Sequence, residues 1–293
     1  MLKIRRRDVL LLFLLFIPGF IYYAYLLLYP LQQGLVLSFY RWPTLATRVF
    51  TGWDNFTAVF NNPFFWNSLR TSFVFMFWTT LVQVIIGYTL GYVLYLRLKG
   101  FRFFKTVFFM PVVLTTVSVG FIWGNIFSPV MGIARPLMEA LGIGHLYMSP
   151  LASTTHALTS VIIAQVWSAM GIQVILFNSG FMSINEEVLE SAALDGASGL
   201  RTHISMIIPM SKQVFRTILI LQMVGVLRIF DLVWVMTRGG PVHSTEILPL
   251  HLFVNAFNHM RIGYGSVIGV VILVLALAIT AVIRLATRGG QDD

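Results

Sequence analysis

The sequence predicts an all-α integral membrane protein with six transmembrane helices and both termini in the cytoplasm. Three observations carry this. The apolar residues gather in six long blocks, most of the charged residues fall between them, and the basic residues favour alternate connections. Of the 293 residues, 57% are hydrophobic and only 11% charged, whereas a soluble domain carries about 25% charged residues. A soluble chain needs polar residues to cover its surface, so this pattern fits a chain whose solvent is lipid.

A spanning helix needs roughly 20 mostly apolar residues. The blocks lie at about 9–30, 70–96, 106–127, 156–181, 213–236 and 264–287. The first follows a basic start (Lys3, Arg5, Arg6, Arg7) like that of a signal peptide. It is longer than the roughly 7–15-residue apolar core of such peptides. It has no small-residue cleavage site after it and ends among Tyr22, Tyr23, Tyr25 and Tyr29, so it is expected to be a retained span. The fourth and fifth blocks contain Gln165, Gln173, Gln222, Arg228 and Asp231 and cannot face lipid all round.

Orientation follows from Lys and Arg placement. With the N-terminus inside, thirteen of the 20 basic residues fall on cytoplasmic segments and six outside, with Arg228 inside the fifth block. The layout is therefore residues 1–30 (cytoplasmic start and first span), 31–69 (outer loop), 70–287 (the transmembrane core) and 288–293 (cytoplasmic tail). The outer loops, about 31–69, 128–155 and 237–263, carry prolines, with Trp42, Trp53 and Trp66 in the first, and are read either as an aromatic belt or as a docking surface for an outside partner. Small residues four apart, at Gly87/Gly91, Gly120/Gly124 and Gly265/Gly269, are read as helix-packing sites.

Several functions are excluded or disfavoured. There is no cysteine, hence no disulfide or thiolate metal site. The pair His251/His259 is read as polar loop residues, and no metal site is expected. The net charge of +9 sits at block ends, which suits membrane orientation and not nucleic acid. An intramembrane enzyme would need a nucleophile–base or paired-acid constellation, and none stands out.

Between blocks four and five lies the most informative segment. Ser183 and Glu186 fit a capping box, and Glu186 and Glu187 suit the positive end of the helix that follows. Val188, Leu189, Ala192 and Ala193 form a small apolar ridge, and Asp195-Gly196 ends the helix. A second helix is expected from Ser198 to about Ile208, stopped by Pro209. Such a ridge suits insertion into a groove of another protein. Within the membrane, Gln165, Ser168, Ala169 and Ile172 cluster on one side of block four, and Gln222, Gly225, Val226 and Ile229 on one side of block five. Arg228 and Asp231, three apart, are candidates for a mutual ion pair.

The run Glu190, Ser191, Ala192, Ala193, Leu194, Asp195, Gly196, Ala197, then Met206 to Pro209, resembles the "EAA" loop of ABC importer permeases. The usual form is E-A-A-x-x-D-G-A, then I-x-L-P with Pro 13 residues after the Gly, a spacing that Gly196 and Pro209 keep. Ser191, Ile208 and Asn185 are mild departures. Phe230 to Pro241 is similar to the F-D-x-x-x-x-M-T-x-G-G-P stretch of carbohydrate-type members. Asp54 to Phe56, Phe65 to Leu69, Met110-Pro111 and Asn125 to Pro129 also resemble that subgroup, so the likeness covers nearly the whole chain.

The resemblance implies a type I ABC importer permease fold with a cytoplasmic coupling loop at 183–211. It implies a permease for a sugar, oligosaccharide or related polyol or glycerol-phosphate solute, in a bacterial or archaeal cytoplasmic membrane. Glu187, Glu190, Ala193, Asp195, Gly196, Ala197 and Pro209 match the coupling motif and are expected to serve contact with an ATPase. The two polar clusters match positions that line the sugar site in permeases that have one, although Gly225 and Val226 stand where those carry an aromatic and an amide. The implied partners are an ATPase dimer, a second and different permease chain, an external solute-binding protein and lipid. No G-x-x-x-x-G-K-[ST] motif occurs, so ATP and Mg are expected on the partner, with no cofactor on this chain. The alternative is an ion-coupled secondary transporter, disfavoured because Asp231 is the one carboxylate in the blocks and no repeat is evident.

Overall fold

The computed structural model describes residues 6–44, 47–128, 132–144, 150–194 and 199–287. Four helices are long and apolar enough to cross a membrane: Leu14–Leu37, Pro63–Tyr95, Ala157–Met182 and Ile262–Ala286. Two bent pairs bring the number to six if each is one span: Phe101–Val113 with Thr116–Ile126, and His203–Met210 with Lys212–Val226. Among the described residues the count is thus four to six, the expected six being reached when each pair, bent by 98° and 55°, is one broken span.

The chain divides into two compact units, one of Met1–Asn62 with Leu252–Val271, the other of Pro63–His251 with Ile272–Asp293.

In the first unit, α1 (Arg6–Tyr23) continues through a π-helical turn, Ala24–Leu28, into α2 (Tyr29–Leu37). Pro30 follows this wide turn and has no N–H to return to the preceding turn. The helix therefore runs further than the expected end near residue 30. The loop after it is not irregular. It holds an antiparallel hairpin, β1 (Tyr40–Thr44) with β2 (Thr47–Phe50), and a short helix α3 (Asp54–Phe60), neither of which was expected from an all-α reading. Asn55, buried, donates from Nδ2 to the carbonyls of Ser38 and Tyr40 at 2.9 Å each and so ties α3 to the end of the span. Gly263 lies so close to these groups that an added Cβ would sit 2.6 Å from Asn55 Nδ2.

The second unit is organised around α4 (Pro63–Tyr95) and α8 (Ala157–Met182). Small or polar residues recur along the buried side of α4: Ser68, Ser72, Thr79, Gln83, Gly87 and Gly91. This four- and seven-residue spacing gives one small-residue face against which another helix packs closely. A Cβ at Gly87 would lie 2.6 Å from Gln173 Cβ, and one at Gly91 would lie 2.8 Å from Phe177 Cβ.

The bend in the third span has a local cause. The helix α5 (Phe101–Phe109) passes into a 3-10 turn, Met110–Val113, carrying Pro111. Leu114 is then extended, and the Thr115 hydroxyl accepts from Ser118 N at 3.2 Å to cap α6 (Thr116–Ile126). A short helix α7 (Ala134–Ala140) follows. The fifth span also departs from a single helix. After α12 (Lys212–Val226) the chain breaks at Leu227 to Phe230 and resumes as α13 (Asp231–Met236), which packs against α6, where a Cβ on Gly120 would lie 2.9 Å from Val235.

Candidate functional site

The coupling segment begins where α8 ends. Ser183 closes α8, donating its hydroxyl to the Gly180 carbonyl at 2.7 Å, so it does not cap the next helix as the capping-box reading expected. That role falls to Asn185, whose Oδ1 accepts from Glu187 N at 3.0 Å at the start of α9 (Glu186–Leu194).

α9 has two faces, and they are not arranged as a fully exposed apolar ridge. Leu189 packs against a core cluster of Phe177, Phe181, Ile184, Ile207 and Ile218, and Ala192 is buried. Glu187, Glu190 and Ser191 face outward, and Leu194 is 89% exposed. An apolar side chain left that open on a short helix is the residue the sequence reading missed. It was legible only as the helix's last residue, before Asp195. Asp195, Gly196 and Ala197 lie outside the described residues.

The chain returns through α10 (Leu200–Thr202), a π-helical turn at His203–Ile207 and α11 (Ile208–Met210). The helix was expected to stop at Pro209. Instead Pro209 follows a π turn, as Pro30 does, and the stop comes at Ser211, buried and donating to the Ile207 carbonyl at 2.7 Å. His203 Nε2 and the Tyr88 hydroxyl are 2.6 Å apart, and the Tyr92 ring lies 4.3 Å from the His203 ring. Tyr88 and Tyr92 also pack on the cluster that holds Leu189. One aromatic block thus joins α9, the return segment and the second span.

The interior polar residues form a chain of amides. Gln83 Nε2 donates to the Gln165 carbonyl at 2.9 Å, and Ser168 Oγ donates to the same oxygen at 3.0 Å. Gln222 Nε2 donates to Gln83 Oε1. Gln173 Nε2 donates to Gln222 Oε1 at 2.5 Å, while Gln173 Oε1 is buried without a partner among the described residues. The Gln165 backbone carbonyl and the Gln222 side chain are thus joined through Gln83, which the sequence reading did not single out. Ala169, Gly225 and Ile229 are half-buried, Val226 is buried and Ile172 is 44% exposed. Among the described residues no ion pair joins Arg228 to Asp231; both are exposed. The helix break between Val226 and Asp231 removes the three-residue helical spacing on which that pairing depended.

The Gly-Gly-Pro stretch closes the outer end. Gly239 has φ +87°, a left-handed conformation that favours glycine. Thr245 donates to the Gly240 carbonyl at 2.9 Å and pairs with the Thr237 hydroxyl at 2.7 Å. Leu248 N donates to Ser72 Oγ at 2.8 Å, anchoring α14 (Leu248–Phe253) to α4. His251, read as a polar loop residue, instead sits buried in this helix, its Nδ1 2.5 Å from Glu246 Oε1. Burial pushes the Glu246 carboxyl up, but the hydrogen bonds and charges of His251 and His243 outweigh it and hold the group below its ordinary value.

Residues 83–289 match the family described as "Binding-protein-dependent transport system inner membrane component". The trehalose/maltose transport system permease protein MalF of Thermococcus litoralis is 27% identical, over 99% of this chain and 98% of its own. The sn-glycerol-3-phosphate transport system permease protein UgpA of Brucella abortus is 25% identical, over 96% of each chain. A solved bacterial alginate ABC transporter, in complex with an alginate pentasaccharide-bound periplasmic protein, contains a chain that superposes with TM-score 0.82 at 19% identity, covering 98% of this chain and 96% of that one.

Proposed function

This chain belongs to the family of binding-protein-dependent transport system inner membrane components, and from that premise we propose how it works. It is a multi-pass membrane transport subunit, and family membership sets aside the ion-coupled alternative. The reading is a permease forming half of the pathway for a sugar, oligosaccharide or related polyol or glycerol-phosphate solute, in the cytoplasmic membrane of a bacterium or archaeon. The names of MalF and UgpA support that solute class. ATP and Mg sit on a separate ATPase dimer, the second half of the pathway is a different permease chain, and an external binding protein delivers the solute.

The observation that carries the coupling role is the two-faced α9. Outward Glu190 and Leu194 suit a cleft on the ATPase, while inward Leu189 grips the aromatic block at Phe181, Tyr88 and Tyr92. A push on α9 therefore reaches the second and fourth spans through packed side chains, which move as a body and do not compress. The bent third and fifth spans are the points where a rigid bundle can change between two arrangements. The amide chain of Gln83, Gln173 and Gln222 supplies the polar interior beside which a hydroxylated solute passes.

The chain has no native cysteine, so Leu194→Cys introduces a single thiol. In the assembled complex it is expected to form a cross-link to a cysteine placed in the ATPase cleft, and Phe121→Cys, on an outward-facing span residue, is not. Equal cross-linking from both positions, or none from residue 194, contradicts the docking role.

A further inference from the structure

The first unit carries a cavity that the transport reading does not use. Its volume is about 460 Å³, and Arg41, Trp42, Asn62, His259, Arg261 and Tyr264 are among its lining residues. That volume lies within the roughly 300–1,000 Å³ of small-ligand pockets. The geometry points to a binding site for a phosphate group on the outer side of this unit.

Charge is the first reason. Two arginines line the cavity and no acidic residue does. Neither Arg41 nor Arg261 makes an ion pair among the described residues, and both are exposed. Two such cations beside one cavity make its potential positive and favour an anion there. The planar five-donor fork of arginine matches phosphate oxygens two at a time.

The second reason is a helix end. The first turn of the 25-residue helix α15 (Ile262–Ala286) also lines the cavity through Ile262, Gly263 and Tyr264. Its free N–H groups add positive potential there.

The number of donors decides between anions. A carboxylate brings one charge and two oxygens against two arginines and a helix end. A phosphate brings up to two charges and three free oxygens. The position fits as well, because α2 ends at Leu37 and α15 begins at Ile262, both ends placed outside by the basic-residue asymmetry. The phosphate is therefore that of a phospholipid headgroup or of a soluble phosphate ester, and the two are separable.

The test uses the full chain in a neutral detergent, with two arms. In the soluble arm, the thermal midpoint is followed with added glycerol phosphate against chloride at equal ionic strength. In the lipid arm, the chain is placed in nanodiscs of phosphatidylglycerol or phosphatidylcholine, and lipid retained per chain is counted by native mass spectrometry. Arg41→Gln with Arg261→Gln is expected to weaken binding by about tenfold or more, since hydrogen bonds to charged groups are among the stronger ones. Arg261→Lys keeps the charge, removes the two-pronged fork and is expected to weaken binding a few-fold; it serves alone if the double variant does not fold. A response in the soluble arm alone assigns a phosphate ester, and selective retention of phosphatidylglycerol alone assigns a headgroup. Response in neither arm, or equal binding by wild type and variants, overturns the site. None of these outcomes depends on transport.

Discussion

Gln222 holds the membrane interior together at the scale of one residue. It donates to Gln83 and accepts from Gln173, so three helices meet on one side chain. Hydrogen bonds between membrane helices average about 0.6 kcal/mol each, whereas an orphaned buried polar group costs about 1–3 kcal/mol. The orphan cost therefore dominates. Gln222→Met is expected to lower stability by about 1–3 kcal/mol in denaturant unfolding from detergent. Replacing Gln83, Gln173 and Gln222 together with Met is expected to cost less than the single change, because no amide is left unpaired. A triple variant weaker than the single one would show that the amides contribute through their bonds and not through mutual satisfaction. The sequence marks Gln173 and Gln222 as residues that cannot face lipid, but Gln83 is hidden by its apolar neighbours. Only the register of α4 against α8 reveals it.

Helix packing distinguishes glycines that look alike in sequence. Gly87/Gly91 and Gly120/Gly124 share one spacing, yet their surroundings differ. A Cβ at Gly87 meets Gln173 Cβ at 2.6 Å and the Gln173 backbone at 3.1 Å, while nothing lies within 4 Å of Gly124. Alanine favours a helix over glycine by about 1 kcal/mol, and overpacking costs typically about 1–3 kcal/mol. Gly124→Ala is thus expected to raise the thermal midpoint slightly, and Gly87→Ala to lower it, since a whole helix must move. A rise at both positions would mean that α4 and α8 are not in close contact. The spans themselves are legible from block length and charge, because lipid imposes both. The bends are less so. Pro111 and Pro209 are visible in the sequence, but the 98° turn needs Leu114 extended and Thr115 as a cap. The hairpin at Tyr40–Thr44 and Thr47–Phe50 is hidden because its residues are aromatic and polar like those of any outer loop. The reading of α9 was right in place and wrong in facing. A short helix offers too few turns for periodicity to say which side a core will claim.

For the molecule as a whole, the pieces form a line of transmission. α9 ends in an open Leu194 on one side and sends Leu189 into the aromatic block on the other. That block leads through Tyr88 on α4 toward the amides of Gln83, Gln173 and Gln222 deeper in the same helices. The coupling motif was legible as a resemblance before any fold was known. Its mechanical meaning was not, since that rests on which residues pack behind it.

The most direct test is ATP hydrolysis by the reconstituted transporter, with and without solute-loaded binding protein, comparing wild type with Leu194→Asp and Gly196→Asp. Both variants are expected to insert and assemble as well as wild type by membrane fractionation. Both are expected to lose solute-stimulated hydrolysis by about tenfold or more, the effect of about 1.4 kcal/mol in docking. Undiminished stimulation in both variants, or solute uptake that persists without any ATPase subunit, would contradict coupling through α9.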